Sequence, residues 1–191
     1  GELVPEPVLE VEIERLPPEL GLDVLGSEGG LLGILLHPDF ESHRQFYLVA
    51  NIAAGEGPGV SQITRHVLAG DGRSAELDRV IVDGLPAGVH HQGGRMQLGP
   101  DGMIWFGVGA DNPFDAQDPE LLAGKLHRMD LDGGIPADNP DPTSTVVISG
   151  IRNTQGFDWW DDDHLVMVDH GPSGLELDMP ELRGFDEVNV A

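Results

Sequence analysis

Two adjacent histidines begin the segment of the chain with the clearest chemical potential. His90 and His91 precede Gln92, Gly93 and Gly94. A neutral imidazole, whose reference pKa is about 6.5, accepts a proton at working pH, so either ring could serve as a general base. The two glycines allow a tight turn and let a flat ligand approach the backbone. The competing interpretation is that His91 is an ordinary polar turn residue.

A second polar segment places Arg152 and Asn153 between Ile151 and Thr154. Arginine supplies a fixed cation that binds carboxylates in a bidentate manner and stabilises developing negative charge. An asparagine amide can donate a hydrogen bond to a carbonyl oxygen. On residue types alone, the default interpretation of Arg152 is a surface ion pair with one of the many acidic residues, a contact of little energetic value.

Several classes of enzyme lack support in the sequence. The chain has no cysteine, which excludes disulfides and thiol chemistry. No Gly-x-Gly-x-x-Gly follows a strand and opens a helix, no Gly-x-Ser-x-Gly elbow is present, and no two histidines show the spacing of a zinc protease helix. No apolar run approaches the roughly 18 residues of a transmembrane helix. The chain begins at Gly1 without a visible signal peptide, which predicts processing, trimming or truncation.

The charge balance limits the partners of the protein. The chain has 34 acidic and 10 basic residues and a formal net charge of −24. Nucleic acid and anionic membrane surfaces are therefore poor partners, because phosphate binding requires a basic surface. The acids are spread among regular apolar runs such as Leu31–Leu36, which argues against disorder. An acidic chain with Lys125 as its single lysine suggests a halophilic protein, since high salt screens self-repulsion.

Most apolar stretches are short, alternate with polar residues and end at Gly, Pro, Asp or Asn, a pattern that predicts β-strands. No stretch shows a convincing helical stripe, although Leu121 and Leu122 could form one short helical turn. The predicted strands are Val8–Ile13, Leu31–Leu36, Gln45–Ile52, Ser61–Leu68, Val80–Val82, Arg95–Leu98, Met103–Val108, Lys125–Leu131, Val146–Ile148 and Leu165–Val168.

Three strand–turn–strand segments resemble one another and begin at Gly33, Gly94 and Gly156. Their spacings are 94 − 33 = 61 and 156 − 94 = 62 residues. A regular period of all-β units predicts a propeller with one such hairpin per blade, whereas chance similarity of hairpins is the alternative. We expect about three blades of a closed ring, at approximately residues 8–70, 75–135 and 146–191.

Motifs in collinear order resemble those of soluble quinoprotein glucose dehydrogenases and aldose sugar dehydrogenases. The resemblance extends from about Glu28 to Asn189 and corresponds to about half of the family's chain. Any one motif is weak, whereas five in order are strong. The motifs are Glu28 to Phe40, His91-Gln92-Gly93-Gly94-Arg95 with Leu98 to Gly102, Leu122 to Leu126 with Asp132 to Pro136 and Asp138-Asn139-Pro140, Gly150 to Gly156 with His170-Gly171-Pro172, and Asp186-Glu187-Val188-Asn189.

The resemblance implies part of a six-bladed β-propeller that carries pyrroloquinoline quinone (PQQ) and calcium. It implies oxidation of the anomeric hydroxyl of an aldose to a lactone, with His91 taking the hydroxyl proton while hydride passes to the quinone. His91 is preferred to His90 because the family's histidine directly precedes the amide residue, here Gln92. An external electron acceptor and a periplasmic or extracellular location are also implied. The implied cofactor contacts are Glu28, Asp111, Arg152 and Asn153, and the implied calcium ligands are the backbone carbonyls of Gly171 and Pro172.

The sequence departs from the family's pattern in several places. The expected first blade is mostly absent before Glu28, the expected second half would lie beyond Ala191, and pairing of two chains is another way to complete a ring. An apparent insertion, Ser173 to Phe185, follows the expected calcium segment, and Ile151 replaces a polar residue. Two other functions stay open: a non-catalytic propeller that binds a partner or glycan, and a calcium-dependent sugar lactonase, for which no ordered acidic set is evident.

Overall fold

The computed structural model describes residues 5–13, 29–52, 60–88, 90–172 and 184–191. Within these ranges nearly all of the regular secondary structure is β-strand, which confirms the all-β fold class. No helix in this part of the chain has the length and apolar character needed to cross a membrane. The elements are β1 (Leu31–Leu36), helix α1 (Phe40–His43), β2 (Gln45–Ile52), β3 (Val60–Leu68), β4 (Ala75–Pro86), β5 (Gly93–Leu98), β6 (Ile104–Val108), a 3₁₀ turn (Asp115–Gln117), β7 (Lys125–Met129), β8 (Val146–Ser149), β9 (Thr154–Trp159), β10 (Leu165–Asp169) and β11 (Glu187–Val190).

The strands form three antiparallel sheets, each built from one continuous stretch of chain. Sheet A contains β1 to β4 in order, sheet B contains β5 to β8, and sheet C contains β9 to β11. The first strands are neighbours, because β1 packs against β5 and β5 packs against β9. Successive meanders whose first strands lie together are the arrangement of propeller blades.

The three repeated glycines lie in the first strands of the three sheets: Gly33 in β1, Gly94 in β5 and Gly156 in β9. At Gly33, strands β1 and β5 approach so closely that a Cβ would come within 2.2 Å of the Gly94 carbonyl oxygen. A Cβ on Gly94 would lie 2.5 Å from the Leu32 side chain. Glycine is therefore required where β1 meets β5. The repeat of about 61 residues predicted from the sequence corresponds to the distance along the chain from one sheet to the next.

The sheet boundaries differ from the predicted blade boundaries. Sheets A, B and C span residues 31–86, 93–149 and 154–190. Strand β4 pairs with β3 and so closes sheet A instead of opening the next blade, and β8 pairs with β7 in the same way. The physical reason is that β4 is mostly exposed, so polar residues occupy both of its faces and the alternation typical of a strand is lost. Only Val80–Val82 has the apolar character that predicts a strand.

Two smaller expectations also differ from the structure. Residues 8–13 form no strand, although the Val8 carbonyl oxygen accepts a hydrogen bond from the Ala75 amide at 2.8 Å. Leu121 and Leu122 are not helical, and the short turn of helix in this loop lies at Asp115–Gln117. Both expectations were wrong, because a short local pattern does not determine which backbone hydrogen bonds form.

Two apolar clusters hold the sheets face to face. Fully burying an aliphatic or aromatic side chain contributes roughly 1.5–3 kcal/mol, so contacts between sheets, more than any single hairpin, stabilise the array. The cluster between sheets A and B contains Tyr47, Val49, Ile63, Leu85, Met96, Ile104, Phe106, Val108 and Met129. The cluster between sheets B and C contains Leu126, Ile151, Phe157, Leu165 and Met167.

A buried histidine anchors the loop between β6 and β7. His127 in β7 is fully buried, and its ring stacks on Phe106 with centroids 4.8 Å apart. Its Nε2–H donates to the Leu122 carbonyl oxygen at 3.0 Å, and the Thr145 hydroxyl donates to Nδ1 at 2.9 Å. Burial disfavours the charged ring and lowers the pKa of His127 to about 4. The ring is therefore neutral in the folded protein.

We expect His127 to make the protein less stable as the pH falls. The pKa of the unfolded ring is 6.5, so between pH 6.5 and pH 4 the unfolded chain binds a proton that the folded chain does not. The stability linked to this group is complete above pH 6.5 and falls by about 2 kcal/mol at pH 5. Urea unfolding at pH 7 and pH 5 measures the loss, which should be smaller in His127→Gln. Equal losses in the two proteins would contradict this assignment.

Candidate active site

The segments before β5 and β9 lie at one end of the sheet array, which we call the rim. In an antiparallel meander the second strand ends where the first begins, so the loop after each second strand belongs to the same end. The rim therefore carries residues 90–92, 109–124, 150–153, 170–172 and 184–186. His91 lies two residues before Gly93 (93 − 91 = 2), and Arg152 lies two residues before Thr154 (154 − 152 = 2), so they hold equivalent positions on neighbouring sheets.

The central feature of the rim is a buried contact between His91 and Arg152. An Arg152 guanidinium nitrogen, Nη2, lies 2.6 Å from Nε2 of His91, and the two residues are 8% and 3% exposed. Arginine has donors and no acceptor, so Nε2 of His91 accepts this hydrogen bond and the ring proton lies on Nδ1. The separation of 152 − 91 = 61 residues equals the 154 − 93 = 61 residues between the starts of β5 and β9, so the two loops hold equivalent places on neighbouring sheets. The imidazole and guanidinium expected at a shared site are thus brought together.

Asp111 lies on the other side of the His91 ring. Its Oδ1 is 3.8 Å from Nδ1 of His91 and accepts the backbone N–H of His90 at 3.0 Å. A Cβ on Gly88 would come within 2.1 Å of an Asp111 carboxylate oxygen, so the loop must carry glycine there. The carboxylate thus faces the nitrogen that carries the ring proton. The sequence predicted Asp111 as a cofactor contact, whereas its described contacts are with the histidine pair.

The backbone of His91 is held in an unusual conformation. Its φ of 54° falls in the left-handed region, which few non-glycine residues adopt. A Cβ on Gly109 would come within 1.6 Å of the His91 carbonyl oxygen, so the loop after β6 must pass directly beneath the histidine. Strained backbone of this kind persists where the surrounding structure fixes it, as it does at functional sites.

Gln92 and Asn51 were not recognised as site residues from the sequence. The Gln92 amide donates to the carbonyl oxygens of Gly88 and His90, and its Oε1 accepts a hydrogen bond from Asn51 at 3.3 Å. Asn51 in turn accepts the Gly30 N–H at 3.0 Å. Both amides are buried, so their role is to fix the histidine loop to sheet A. A signal existed in the sequence, since Gln92 directly follows the histidine pair.

Arg152 and Asn153 are fixed by the end of β10. The Asp169 carboxylate accepts the backbone N–H groups of Arg152 and Asn153 at 3.1 and 2.8 Å. The Asn153 Oδ1 accepts the Gly93 N–H at 3.2 Å, which ties this loop to the first strand of sheet B. The Arg152 Nη1 donates to the His170 carbonyl oxygen at 2.9 Å and lies 3.4 Å from Nδ1 of the same histidine. The guanidinium is thus held between two imidazoles.

Gly171 and Pro172 follow β10 beside Arg152. The Gly171 N–H donates to Oδ1 of Asp186 at 3.1 Å, and the Pro172 carbonyl oxygen accepts the Gly184 N–H at 2.8 Å. A cleft of about 230 Å³ opens here, lined among others by Arg152, Asp169, Gly171, Pro172, Phe185 and Glu187. Among the described residues no group of three or more His, Asp or Glu side chains is placed to hold a metal ion. Glu28 and residues 173–183 of the apparent insertion lie outside the described residues.

The family model described as Glucose / Sorbosone dehydrogenase matches residues 6–191. The chain belongs to the glucose/sorbosone dehydrogenase family, and the resemblance drawn from its motifs is confirmed. Its relatives include quinoprotein glucose dehydrogenase B of Acinetobacter calcoaceticus, 28% identical over 184 residues, and aldose sugar dehydrogenase YliI of Escherichia coli strain K12, 30% identical over 174 residues. These matches cover 82% and 86% of this chain but 38% and 44% of the two relatives. The chain thus spans less than half the length of the curated relatives it matches.

Solved structures give the same relationship. The PQQ-bound aldose sugar dehydrogenase of Streptomyces coelicolor is 33% identical, with a TM-score of 0.74 over 86% of this chain and 46% of that chain. The soluble aldose sugar dehydrogenase of Escherichia coli in its apo-form is 32% identical, with a TM-score of 0.69 over 86% of this chain and 47% of that chain. The three sheets are therefore part of a β-propeller of this family, as the repeat predicted.

Proposed function

We propose that the protein containing this chain is a PQQ-dependent dehydrogenase that oxidises the anomeric hydroxyl of an aldose to a lactone. The observation that carries the proposal is the buried contact of 2.6 Å between Nη2 of Arg152 and Nε2 of His91. A potential base and a fixed cation meet there on the rim of a quinoprotein-type propeller. The two side chains are the groups that proton removal and stabilisation of negative charge require.

The residues around Arg152 suit PQQ, which is an acidic and flat cofactor. The guanidinium is 3% exposed and is held by backbone and imidazole groups, so it offers a cation whose position is already fixed. Asn153 follows directly and adds an amide beside it. Glu28 and Asp111 remain further proposed contacts from the resemblance. When bound, PQQ supplies the centre that accepts hydride from the anomeric carbon.

His91 would remove the proton of the anomeric hydroxyl at Nε2. In the present arrangement that nitrogen accepts the hydrogen bond from Nη2 of Arg152, so the sugar hydroxyl has to replace this one donor while Nη1 stays on the His170 carbonyl oxygen. The Asp111 carboxylate, whose Oδ1 lies 3.8 Å from Nδ1, would stabilise the imidazolium that forms through its opposite charge.

For calcium, we propose that the carbonyl oxygens of Gly171 and Pro172 are ligands. Calcium takes six to eight oxygen ligands, and the cleft at these residues is rich in oxygen donors, including the carboxylates of Asp169 and Glu187. The Pro172 carbonyl oxygen already accepts the Gly184 N–H, but a carbonyl has a second lone pair. The rest of the ligand set would have to come from outside the described residues. When bound, calcium would act as a Lewis acid.

The wider setting of the reaction follows from the same proposal. The substrate would be a small aldose, and the electrons would pass to an external acceptor. We propose a periplasmic or extracellular location from the family resemblance. Pairing of two chains is a further proposal. The non-catalytic alternative would leave the buried polar contact of His91 and Arg152 without a use, although burying such groups is costly.

The direct test uses the full-length gene product loaded with PQQ and calcium. Reduction of a redox dye on addition of glucose or another aldose, with the lactone identified as product, is the expected result. Apo protein and a sample treated with a calcium chelator are the controls. PQQ binding without sugar-dependent dye reduction would reject the enzymatic proposal.

A further inference from the structure

The side chain of His170 contacts Arg152 from the side opposite His91. Arg152 Nη1 lies 3.4 Å from Nδ1 of His170 and donates to its carbonyl oxygen at 2.9 Å, while Nη2 donates to His91. Because the guanidinium has no acceptor, Nδ1 of His170 presents its lone pair and Nε2 carries the ring hydrogen. Nε2 lies 3.7 Å from Oδ1 of Asp186. A chain of five groups therefore crosses the rim: Asp111, His91, Arg152, His170 and Asp186.

The backbone geometry fixes where this second imidazole lies. His170 follows the last residue of β10, and its N–H donates to the Asn153 carbonyl oxygen at 3.2 Å. Asp186 precedes β11, and its Oδ1 also accepts the Gly171 N–H at 3.1 Å. The pairing of β10 with β11 thus fixes the position of the Asp186 carboxylate, which faces the His170 imidazole. Neither group belongs to a hydrophobic cluster, since the His170 and Asp186 side chains are 50% and 74% exposed.

We propose that His170, with Asp186 behind it, is a positioning residue that fixes the Arg152 guanidinium for the cofactor. This inference rests on the proposed function. An arginine side chain has many rotamers, and a ligand that must order them loses affinity. An acceptor already placed beside Nη1 orders the side chain before PQQ binds, so PQQ loses less affinity to this ordering. Supporting partners of this kind typically change affinity or activity 10- to 100-fold when removed.

The first test measures PQQ affinity in the full-length gene product by absorbance titration of the apo protein. His170→Ala is expected to weaken PQQ binding about tenfold or more, with the melting temperature unchanged. His170→Asn, which keeps an acceptor near the Nδ1 position, should recover most of the affinity. The matched control is His164→Ala, because His164 lies at the other end of the same hairpin, is 52% exposed and contacts Asp161 at 2.8 Å. His164→Ala should bind PQQ like the wild type.

The second measurement does not depend on the cofactor. The ¹⁵N relaxation of the Arg152 side chain in the apo protein should show a more mobile guanidinium in His170→Ala than in the wild type, His170→Asn or His164→Ala. Unchanged mobility in His170→Ala, or an equal loss of PQQ affinity in His170→Asn and His170→Ala, would overturn the positioning role. A wild-type protein that binds no PQQ would reject the proposed function, and the relaxation data would still decide the role of His170.

Discussion

Replacing His91 with glutamine should lower kcat by about 100- to 10,000-fold, the range that a positioned general base contributes. Glutamine keeps a polar side chain of similar length that can still contact Arg152, but it cannot take a proton from the sugar hydroxyl. We therefore expect PQQ affinity to change little while the rate collapses. Stopped-flow measurement of PQQ reduction by the aldose reports the chemical step directly.

His90 provides the matched control for this experiment. Its backbone N–H contacts Asp111, whereas the ring that contacts Arg152 belongs to His91. His90→Gln should therefore retain most of the activity. A collapse in His90→Gln with an active His91→Gln would transfer the role of base to the neighbouring residue. Two active variants would show that neither imidazole removes the proton.

Replacing Arg152 should have its largest effect on cofactor binding. Arg152 is 3% exposed and contacts both His91 and His170, so its removal takes a hydrogen-bond donor from the buried His91 ring and a cation from beside the half-exposed His170. Losing one partner of a buried charged contact typically costs about 2–5 kcal/mol, which corresponds to at least about a 30-fold loss of PQQ affinity. Arg152→Lys should not restore it, because an ammonium on a flexible stem cannot reproduce the planar fork.

The control for Arg152 is Arg95→Gln, which removes an exposed arginine from β5. Its effect on PQQ affinity and on the melting temperature should be small, since exposed charges contribute little. Titration of apo protein with PQQ, accompanied by thermal unfolding, separates lost affinity from lost stability. If Arg152→Gln bound PQQ as tightly as the wild type, the assignment of the cofactor clamp would be wrong.

The sequence predicted the buried strands of each sheet well and the exposed strands at the sheet edges poorly. Gly33 and Gly94 lie at the close approach of β1 and β5, and strands β2, β6 and β7 are buried along most of their length, so packing constrains these sequences strongly. Strand β4 faces solvent over most of its length, and β11 is exposed throughout. Exposed outer strands can be polar on both faces, and the sequence period that reveals a strand is then lost.

The sequence predicted which residues belong to the candidate site, but it did not predict which of them contact one another. The motifs pointed to His91 and Arg152, and the structure places each of them two residues before the first strand of its sheet. The contact of Asp111 with the His91 ring, and that of His170 with Arg152, depend on loop conformations after β6 and β10. Ile151 illustrates the same limit, because it departs from the family's pattern yet is 4% exposed in the cluster between sheets B and C. Loop paths of this kind are set by tertiary packing, not by local sequence.

The equivalent placement of His91 and Arg152 has an architectural consequence. One backbone address, two residues ahead of the first strand, recurs in sheets B and C at a separation of 152 − 91 = 61 residues. The scaffold therefore brings two unlike residues into contact from one repeated position, so the chemical difference between sheets B and C at this point lies in which residue occupies it. Exchanging residues among such addresses offers a route to redesign that leaves the packing between sheets untouched.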